Sequence, residues 1–400
     1  MINQPKFQGK VLIIGGGIAG PALALFLQKA GIAAVVYEAY PYKDGIGGGL
    51  GLAPNGMNVL AALGLADKVI ARGSLTLENV FYNAQGRVLA RIKRGAQKYG
   101  QPAVSLLRPA LYDIMTAAMQ ARGIQVEYQK RLKTITQTAT QVIAHFEDGS
   151  SAAGDLLIGA DGIYSKTRQT ALPNSPQPAY VGIIGVGGVT PAAALPMMTA
   201  SQKQSLNFTF GAQGFFGYGG AENGDVMWWS NLARAKEFTR AELTDLSLDT
   251  IKRELLAIYQ GYHEPIATLI QHTQSPIKQN ISDIQSLPTW QQGRVLLIGD
   301  AAHAVSPNAG QGAALALEDA MYLAKLLRDS SDYVQVFAQF EKDRKPRVEK
   351  IVAEGRRLAG DKQVVTPFQE KIRELMMMIF INLLGERGYE WVYKYKIDWA

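Results

Sequence analysis

The chain has 400 residues, 47% of them hydrophobic and 19% charged, a balance that supports two or three globular lobes and argues against disorder. It has no cysteine, which excludes disulfides, thiolate catalysis and cysteine-bound metal. A net charge of +7 could attract nucleic acid, but the basic residues are scattered and carry no reading motif, so no nucleic-acid partner is expected.

Taken in order, the chain begins with an apolar stretch, Val11 to Leu27, behind Lys6 and Lys10. It superficially resembles an export signal. Three glycines and Pro21 inside it fit a strand–turn–helix instead, and a cytoplasmic protein with no integral membrane segment is expected. Lys10–Ile14 reads as a buried strand, Pro21–Ala30 as a helix stopped by Gly31, and Ala33–Tyr37 as a second buried strand ending at Glu38. Two such strands around a helix form a right-handed parallel βαβ unit. Arg108–Gln120 predicts another helix, Ile124–Tyr128 a strand, and Gln141–Phe146 one arm of a hairpin turning at Glu147-Asp148-Gly149.

From about Tyr180 to Leu232 the texture changes to short strands with glycine turns, which predicts an antiparallel sheet in a lobe of its own. Leu206, Phe208 and Phe210 share one strand face, with Asn207 and Thr209 on the other. The parallel pattern returns at Val295–Ile298, followed by a glycine-rich loop and the helix Ala313–Leu327. Beyond Ser331 the chain reads as helical, and its methionine-rich stretch Glu374–Leu384 is expected to pack on the protein's own surface.

The residues Gly15-Gly16-Gly17-Ile18-Ala19-Gly20 follow the first strand and open the first helix. In that setting the first glycine permits a tight turn, the second lets a pyrophosphate approach the backbone, and the third lets helix and strand pack closely. The helix start at Ile18 and Ala19 then aims free N–H groups and a partial positive charge at the phosphates. Glu38 stands at the offset expected for a ribose-binding acid, which suits an unphosphorylated adenosine ribose and so FAD or NAD. The histidines show no metal-ligand spacing, and no metal is expected.

Two distal motifs choose between those cofactors. One is Asp155-Leu-Leu-Ile-Gly159-Ala160-Asp161-Gly162, with Ser165 and Arg168. The other runs from Gly293-Arg294 through Gly299-Asp300-Ala301-Ala302-His303 and Pro307 to Gly310-Gln311-Gly312 and Glu318-Asp319. With Gly51-Leu52-Ala53-Pro54-Asn55 and Leu107-Arg108, they make nearly the whole chain resemble the class A flavoprotein monooxygenases, the aromatic hydroxylases typified by para-hydroxybenzoate hydroxylase.

The resemblance implies an α/β fold: a Rossmann-like FAD-binding domain with a parallel sheet (1–73, 101–175 and 280–330), an antiparallel-sheet substrate domain (74–100 and 176–279) and a C-terminal helical segment (331–400). It implies that Gly15, Gly17 and Gly20 cradle the pyrophosphate of a non-covalent FAD and that Glu38 binds its ribose. Arg108 would reach the ribityl–phosphate region, and Asp300 would accept from a ribityl hydroxyl. Gly310, Gly312 and Ala313 would offer backbone N–H groups to the pyrimidine edge, and Pro307 would lie beside C4a. Asp161 would brace the cofactor lobe, and His303 reads as structural rather than as an acid–base group.

By the same resemblance, NADPH or NADH reduces FAD, O2 adds at C4a, and an oxygen atom passes to a small ring-containing substrate, aromatic or polyketide-like, with the flavin and not a side chain doing the hard step. Phe208, Phe210, Phe215, Phe216, Tyr218, Trp228 and Trp229 are expected to wall the pocket, strand alternation sending about half to the other face. Many relatives carry Trp-Arg-Gly where this chain has Gly185-Val-Gly187-Gly188, which speaks against an anion clamp there. A tetracycline-inactivating enzyme is a sub-case; a flavin reductase of the same fold and a non-catalytic flavin-binding protein are the rivals. A monomer or weak homodimer is expected.

Overall fold

The computed structural model describes residues 4–41, 48–94, 96–274, 276–305, 310–360 and 365–400. Its first stretch gives β1 (Val11–Ile14), α1 (Ala19–Ala30), β2 (Ala34–Tyr37), β3 (Gly49–Leu52), α2 (Pro54–Ala62), α3 (Ala66–Ala71), β4 (Ser74–Thr76), β5 (Glu78–Asn83), β6 (Val88–Lys93), α4 (Ala96–Tyr99) and β7 (Ala103–Leu107). It continues through α5 (Arg108–Ala121), β8 (Gln125–Glu127), β9 (Leu132–Gln137), β10 (Val142–Phe146), β11 (Ser151–Gly154), β12 (Leu156–Gly159), α6 (Lys166–Ala171) and β13 (Ala179–Thr190). Then follow α7 (Ala200–Lys203), β14 (Ser205–Gly211), β15 (Gly214–Gly220), β16 (Val226–Ala233), α8 (Arg240–Asp245), α9 (Leu248–Ile258), α10 (Ile266–His272) and β17 (Ile277–Asp283). Last come β18 (Gln291–Gln292), β19 (Val295–Leu297), α11 (Asp300–His303), α12 (Gly312–Asp329), α13 (Tyr333–Gly360) and α14 (Pro367–Tyr393).

The short branched runs pair as the βαβ reading predicts. They form a six-stranded sheet in the order β18-β19-β12-β1-β2-β8, parallel except at the two-residue edge strand β18. Alternation along β1 explains why the whole run is apolar. Val11 and Ile13 join the core shared with α1, whereas Leu12 and Ile14 pack against Leu132, Val142 and Phe146 of the β9–β11 hairpin sheet. Both faces are covered, so no polar side is needed. Trimming Leu12 or Ile13, each wholly buried, to alanine should cost about 2–5 kcal/mol. Strand order reverses between β1 and β12, and in such sheets ligands bind in the crevice beyond the carboxyl ends of the strands flanking that reversal.

A second, seven-stranded sheet runs β17-β13-β16-β15-β14-β5-β6. Antiparallel throughout by expectation, it contains one parallel pair, β14 with β5. The reason is topological. The β5–β6 hairpin is made early, and the chain returns to its side only after the long excursion through the first sheet, the kind of crossover a parallel pair requires.

The C-terminal region is helical, as composition indicates. The methionine-rich helix α14 packs on β6, where Asn382 donates to the Leu89 carbonyl (3.1 Å) and Gly385 closes against Ile92. Packing on the protein accounts for only one side of it. Phe368, Ile372, Leu375, Met376, Ile379, Phe380 and Leu383 form an outward apolar stripe, with Phe368 72% exposed. Among the described residues, no helix is long and apolar enough to cross a membrane.

Candidate functional site

The three loop glycines have three different surroundings. Gly15 lies at φ +113°, and a Cβ there would sit 2.4 Å from the Ala160 carbonyl oxygen, so the loops after β1 and β12 touch at the sheet's reversal point. At Gly20 a Cβ would sit 1.9 Å from the Gly15 carbonyl, which is the close turn–helix approach. At Gly17 nothing lies within 4 Å. Space at Gly17, flanked by two positions where no side chain fits, matches a cradle for a pyrophosphate. The start of α1, capped at Ile18 by no side chain, leaves the N–H groups of Ala19 and Gly20 without an intrahelical partner and able to face such a group, whereas the Ala22 N–H already donates to the Ile18 carbonyl (3.2 Å).

Glu38 closes the loop from the second strand. Its carboxylate accepts from the N–H of Gly16 (2.6 Å) and of Tyr40 (2.9 Å), which puts it beside the cradle and ties its position to the loop backbone. Asp161 follows β12 but turns away toward α6. It accepts from Ser165 Oγ (2.5 Å) and from the Thr167 N–H (2.9 Å) and Oγ1 (3.0 Å). Burial raises its carboxyl above the usual range, and those hydrogen bonds oppose the shift. These contacts are those of a brace for α6, and Arg168 next to it donates to the Ala301 carbonyl (2.8 Å), joining this segment to α11.

Asp300 opens α11 after Gly299, a left-handed turn at φ +58°. Its Oδ1 lies 4.0 Å from where a Gly312 Cβ would be, so the carboxylate faces the N-terminus of α12. Its side chain is open to the cleft, yet set deeply enough that burial pushes the carboxyl up, with His303 and Arg108 pulling it down. Arg108 approaches from the start of α5, its N–H donating to the Gly48 carbonyl (2.9 Å). Gly310 has φ +59°, and the start of α12 at Gly312-Ala313 carries no side-chain cap. The structure therefore brings Arg108, Asp300, Gly312 and Ala313 to one place. Pro307 lies outside the described residues.

A buried ionic network holds this corner from behind. Asp319 accepts from the Gly299 N–H (3.0 Å), from His303 Nε2 (2.6 Å) and from Arg344 Nε (2.8 Å). Arg344 also meets Glu318 at 2.7 Å, and Asn55 bridges Gln311 (3.0 Å) and Glu318 (2.7 Å). Burial alone would raise the Asp319 carboxyl, but His303 and Arg344 hold it down at about 2. His303 is buried against Trp290, with ring centroids 5.1 Å apart, as its structural reading expects. The sequence identifies Asn55, Gln311, Glu318 and Asp319 as motif members. It gives no sign of Arg344, which arrives from α13 with no motif around it.

The aromatic residues of the seven-stranded sheet divide by alternation. Phe208, Phe210, Phe215 and Trp229 share one face with Phe81 of β5, Phe81 stacking on Phe208 at 5.4 Å. That face meets β3, since a Cβ on Gly49 would strike Met227 and one on Gly51 would lie 3.6 Å from Leu206. Phe81, Phe208 and Trp229 there are only half-buried. Phe216, Tyr218 and Trp228, expected as pocket wall, sit on the opposite face instead. They are packed beneath α9 and α10 with Ile251, Leu255 and Leu269, and Trp228 Nε1 donates to Thr273 (2.6 Å). The correction follows from the period of two: those helices claim one face, leaving the other toward β3. Phe81 was missed because its strand lies far back in the chain; the alternation Asn79, Phe81, Asn83 was the available signal.

The family described as "FAD binding domain" matches residues 8–355. Among curated proteins, the chain is 29% identical over 371 residues to 6-hydroxynicotinate 3-monooxygenase of Bordetella bronchiseptica, covering 86% of this chain and 90% of that one. It is 28% identical to aurachin C monooxygenase/isomerase of Stigmatella aurantiaca, covering 92% and 93%. Among solved structures, a salicylate hydroxylase substrate complex has a TM-score of 0.80 at 24% identity, over 98% of this chain and 96% of that one. Klebsiella pneumoniae HpxO complexed with FAD and uric acid has a TM-score of 0.77 at 25% identity, over 98% and 95%.

Proposed function

The chain belongs to the FAD-binding-domain family and is an FAD-dependent monooxygenase, and from that premise we propose that it uses NADPH or NADH and O2 to hydroxylate a small ring-containing substrate held against the face of Phe81, Phe208 and Trp229. The observation that carries the reading is the link at Gly48 between the Arg108 corner and the aromatic sheet: its carbonyl accepts from the Arg108 N–H (2.9 Å), and a Cβ on it would lie 3.4 Å from Ile277 in the sheet that carries the half-exposed aromatic floor.

Gly17 admits the pyrophosphate, and the free N–H groups of α1 neutralise part of its charge. Arg108 and Asp300 orient the ribityl region, and the uncapped start of α12 at Gly312-Ala313 offers N–H groups where negative charge collects. A bound flavin would supply the redox chemistry, with the nicotinamide's electron pair spent on O2 so that one oxygen atom enters the ring and the other leaves as water. The aromatic floor holds the ring flat, restricts its orientation and keeps water from it.

The test is turnover under labelled dioxygen with a panel of phenols, pyridines and quinolones. Substrate-stimulated NAD(P)H oxidation with one labelled oxygen in the product is expected. Reduction of a substrate double bond with no oxygen incorporated would favour the reductase reading.

A further inference from the structure

We propose that the substrate is a planar ring system with no carboxylate, selected by a floor built without charge. The proposal rests on the aromatic face being the substrate floor. Its central rung runs Phe81, Phe208, Gly217, Trp229, Gly187 and Ile277. The rung on the β3 side carries Leu206, Gly219, Met227 and Val189, and the outer one Phe210, Asn231, Gly185 and Gln279. None of these three rungs contributes an Asp, Glu, Lys, Arg or His.

Two glycines make the floor flat. A Cβ on Gly217 would lie 2.4 Å from the Trp229 indole, and one on Gly187 would lie 2.6 Å from the Trp228 carbonyl. The indole can therefore lie across Gly217, edge-on to Phe208 at 6.1 Å between centroids, and present apolar area at low conformational cost. Arg373 of α14 lies 5.8 Å over Phe210 on the outer rung, where it donates to the Gly211 carbonyl (2.9 Å) and so secures the β14–β15 turn. A carboxylate brought onto the central rung would lose water and gain no charged partner from the three rungs, which penalises anionic rings relative to neutral ones.

A matched pair tests this: 2-naphthol and 3-hydroxy-2-naphthoate, which differ by one carboxylate. Both are measured by equilibrium dialysis at pH 7 against the FAD-loaded protein, with flavin content checked for every variant. Naphthol should bind at least about tenfold more tightly, equivalent to about 1.4 kcal/mol. Phe208→Ala should weaken naphthol at least about tenfold with FAD retained, and Asn231→Arg, which adds a cation to the outer rung, should narrow the gap between the two ligands. Tighter binding of the naphthoate to the parent protein, above all if lost in Arg373→Gln, would overturn the proposal. So would naphthol binding that Phe208→Ala leaves unchanged, or no binding of either ligand. Failure of the monooxygenase reading has a separate signature, NAD(P)H consumption without labelled oxygen in any product, and leaves the binding ratio as measured.

Discussion

Replacing Gly17 with alanine should separate cofactor binding from folding. At this position a Cβ meets nothing within 4 Å, and φ lies outside the left-handed region that disfavours side chains. The apo-protein should therefore fold as before, and restricting the unfolded chain should stabilise it by about 0.4–1 kcal/mol. In the loaded protein the methyl occupies the approach of the pyrophosphate. Loss or lengthening of one charge-assisted N–H contact is worth about 1.5–3 kcal/mol, so FAD should bind roughly 10–150-fold more weakly. Gly20→Ala is the control with the opposite signature. Its Cβ would sit 1.9 Å from the Gly15 carbonyl, so the apo-fold itself must give way. Thermal melts of both apo-proteins and fluorescence titration with FAD read the two effects apart. If Gly17→Ala bound FAD like the parent, or lost apo-stability as Gly20→Ala does, the cradle would be misplaced.

Three further outcomes follow from the site. Arg344→Gln leaves Glu318 and Asp319 buried without their shared guanidinium and should lower stability by about 3–5 kcal/mol, read as a fall in melting temperature. The Asp300 carboxyl is raised by burial, so its ionised form disfavours the empty fold. Its favourable contribution is complete below the unfolded carboxylate range and is lost as pH rises through the folded value. Apo Asp300→Asn should accordingly melt higher than the parent at neutral pH, with the gap closing on acidification; a gap that widens toward acid would reverse that assignment. Finally, a true substrate should raise NAD(P)H oxidation at least about tenfold, needing only about 1.4 kcal/mol off the barrier. Equal anaerobic stopped-flow reduction rates with and without it would show that substrate does not gate reduction.

Local chemistry made the glycine turn after β1 readable from sequence. Gly15, Gly17 and Gly20 sit on a strand–turn–helix whose geometry dictates where small residues must fall, and the continuous apolar run of β1 reports burial on both faces. The α12 start was legible because Gly310-Gln311-Gly312 stands just ahead of a helical pattern. Arg344 was not, because a lone arginine in a charged helix looks like a solvated one. Only packing of α13 on α12 places its guanidinium between Glu318 and Asp319, and no spacing along the chain encodes that contact.

The substrate half shows a sharper limit. Period two sorts Phe208 and Phe210 from Asn207 and Thr209 with certainty, but it labels the faces only relative to one another. Which face looks toward β3 depends on what α9 and α10 cover, and that choice is recorded in glycines rather than aromatics. On the helix side, a Cβ on Gly188 would lie 2.5 Å from the Thr273 methyl carbon. On the other side, Gly217 leaves room for the Trp229 ring. A one-residue slip of β15 would exchange the two sets, driving Phe216 into the indole's place and leaving Gly217 beneath the helices. The alternation of large and small residues along Phe216-Gly217-Tyr218-Gly219 therefore fixes the register. With the register it fixes which three aromatic rings, Phe81, Phe208 and Trp229, stay half-open on the face proposed as the substrate floor.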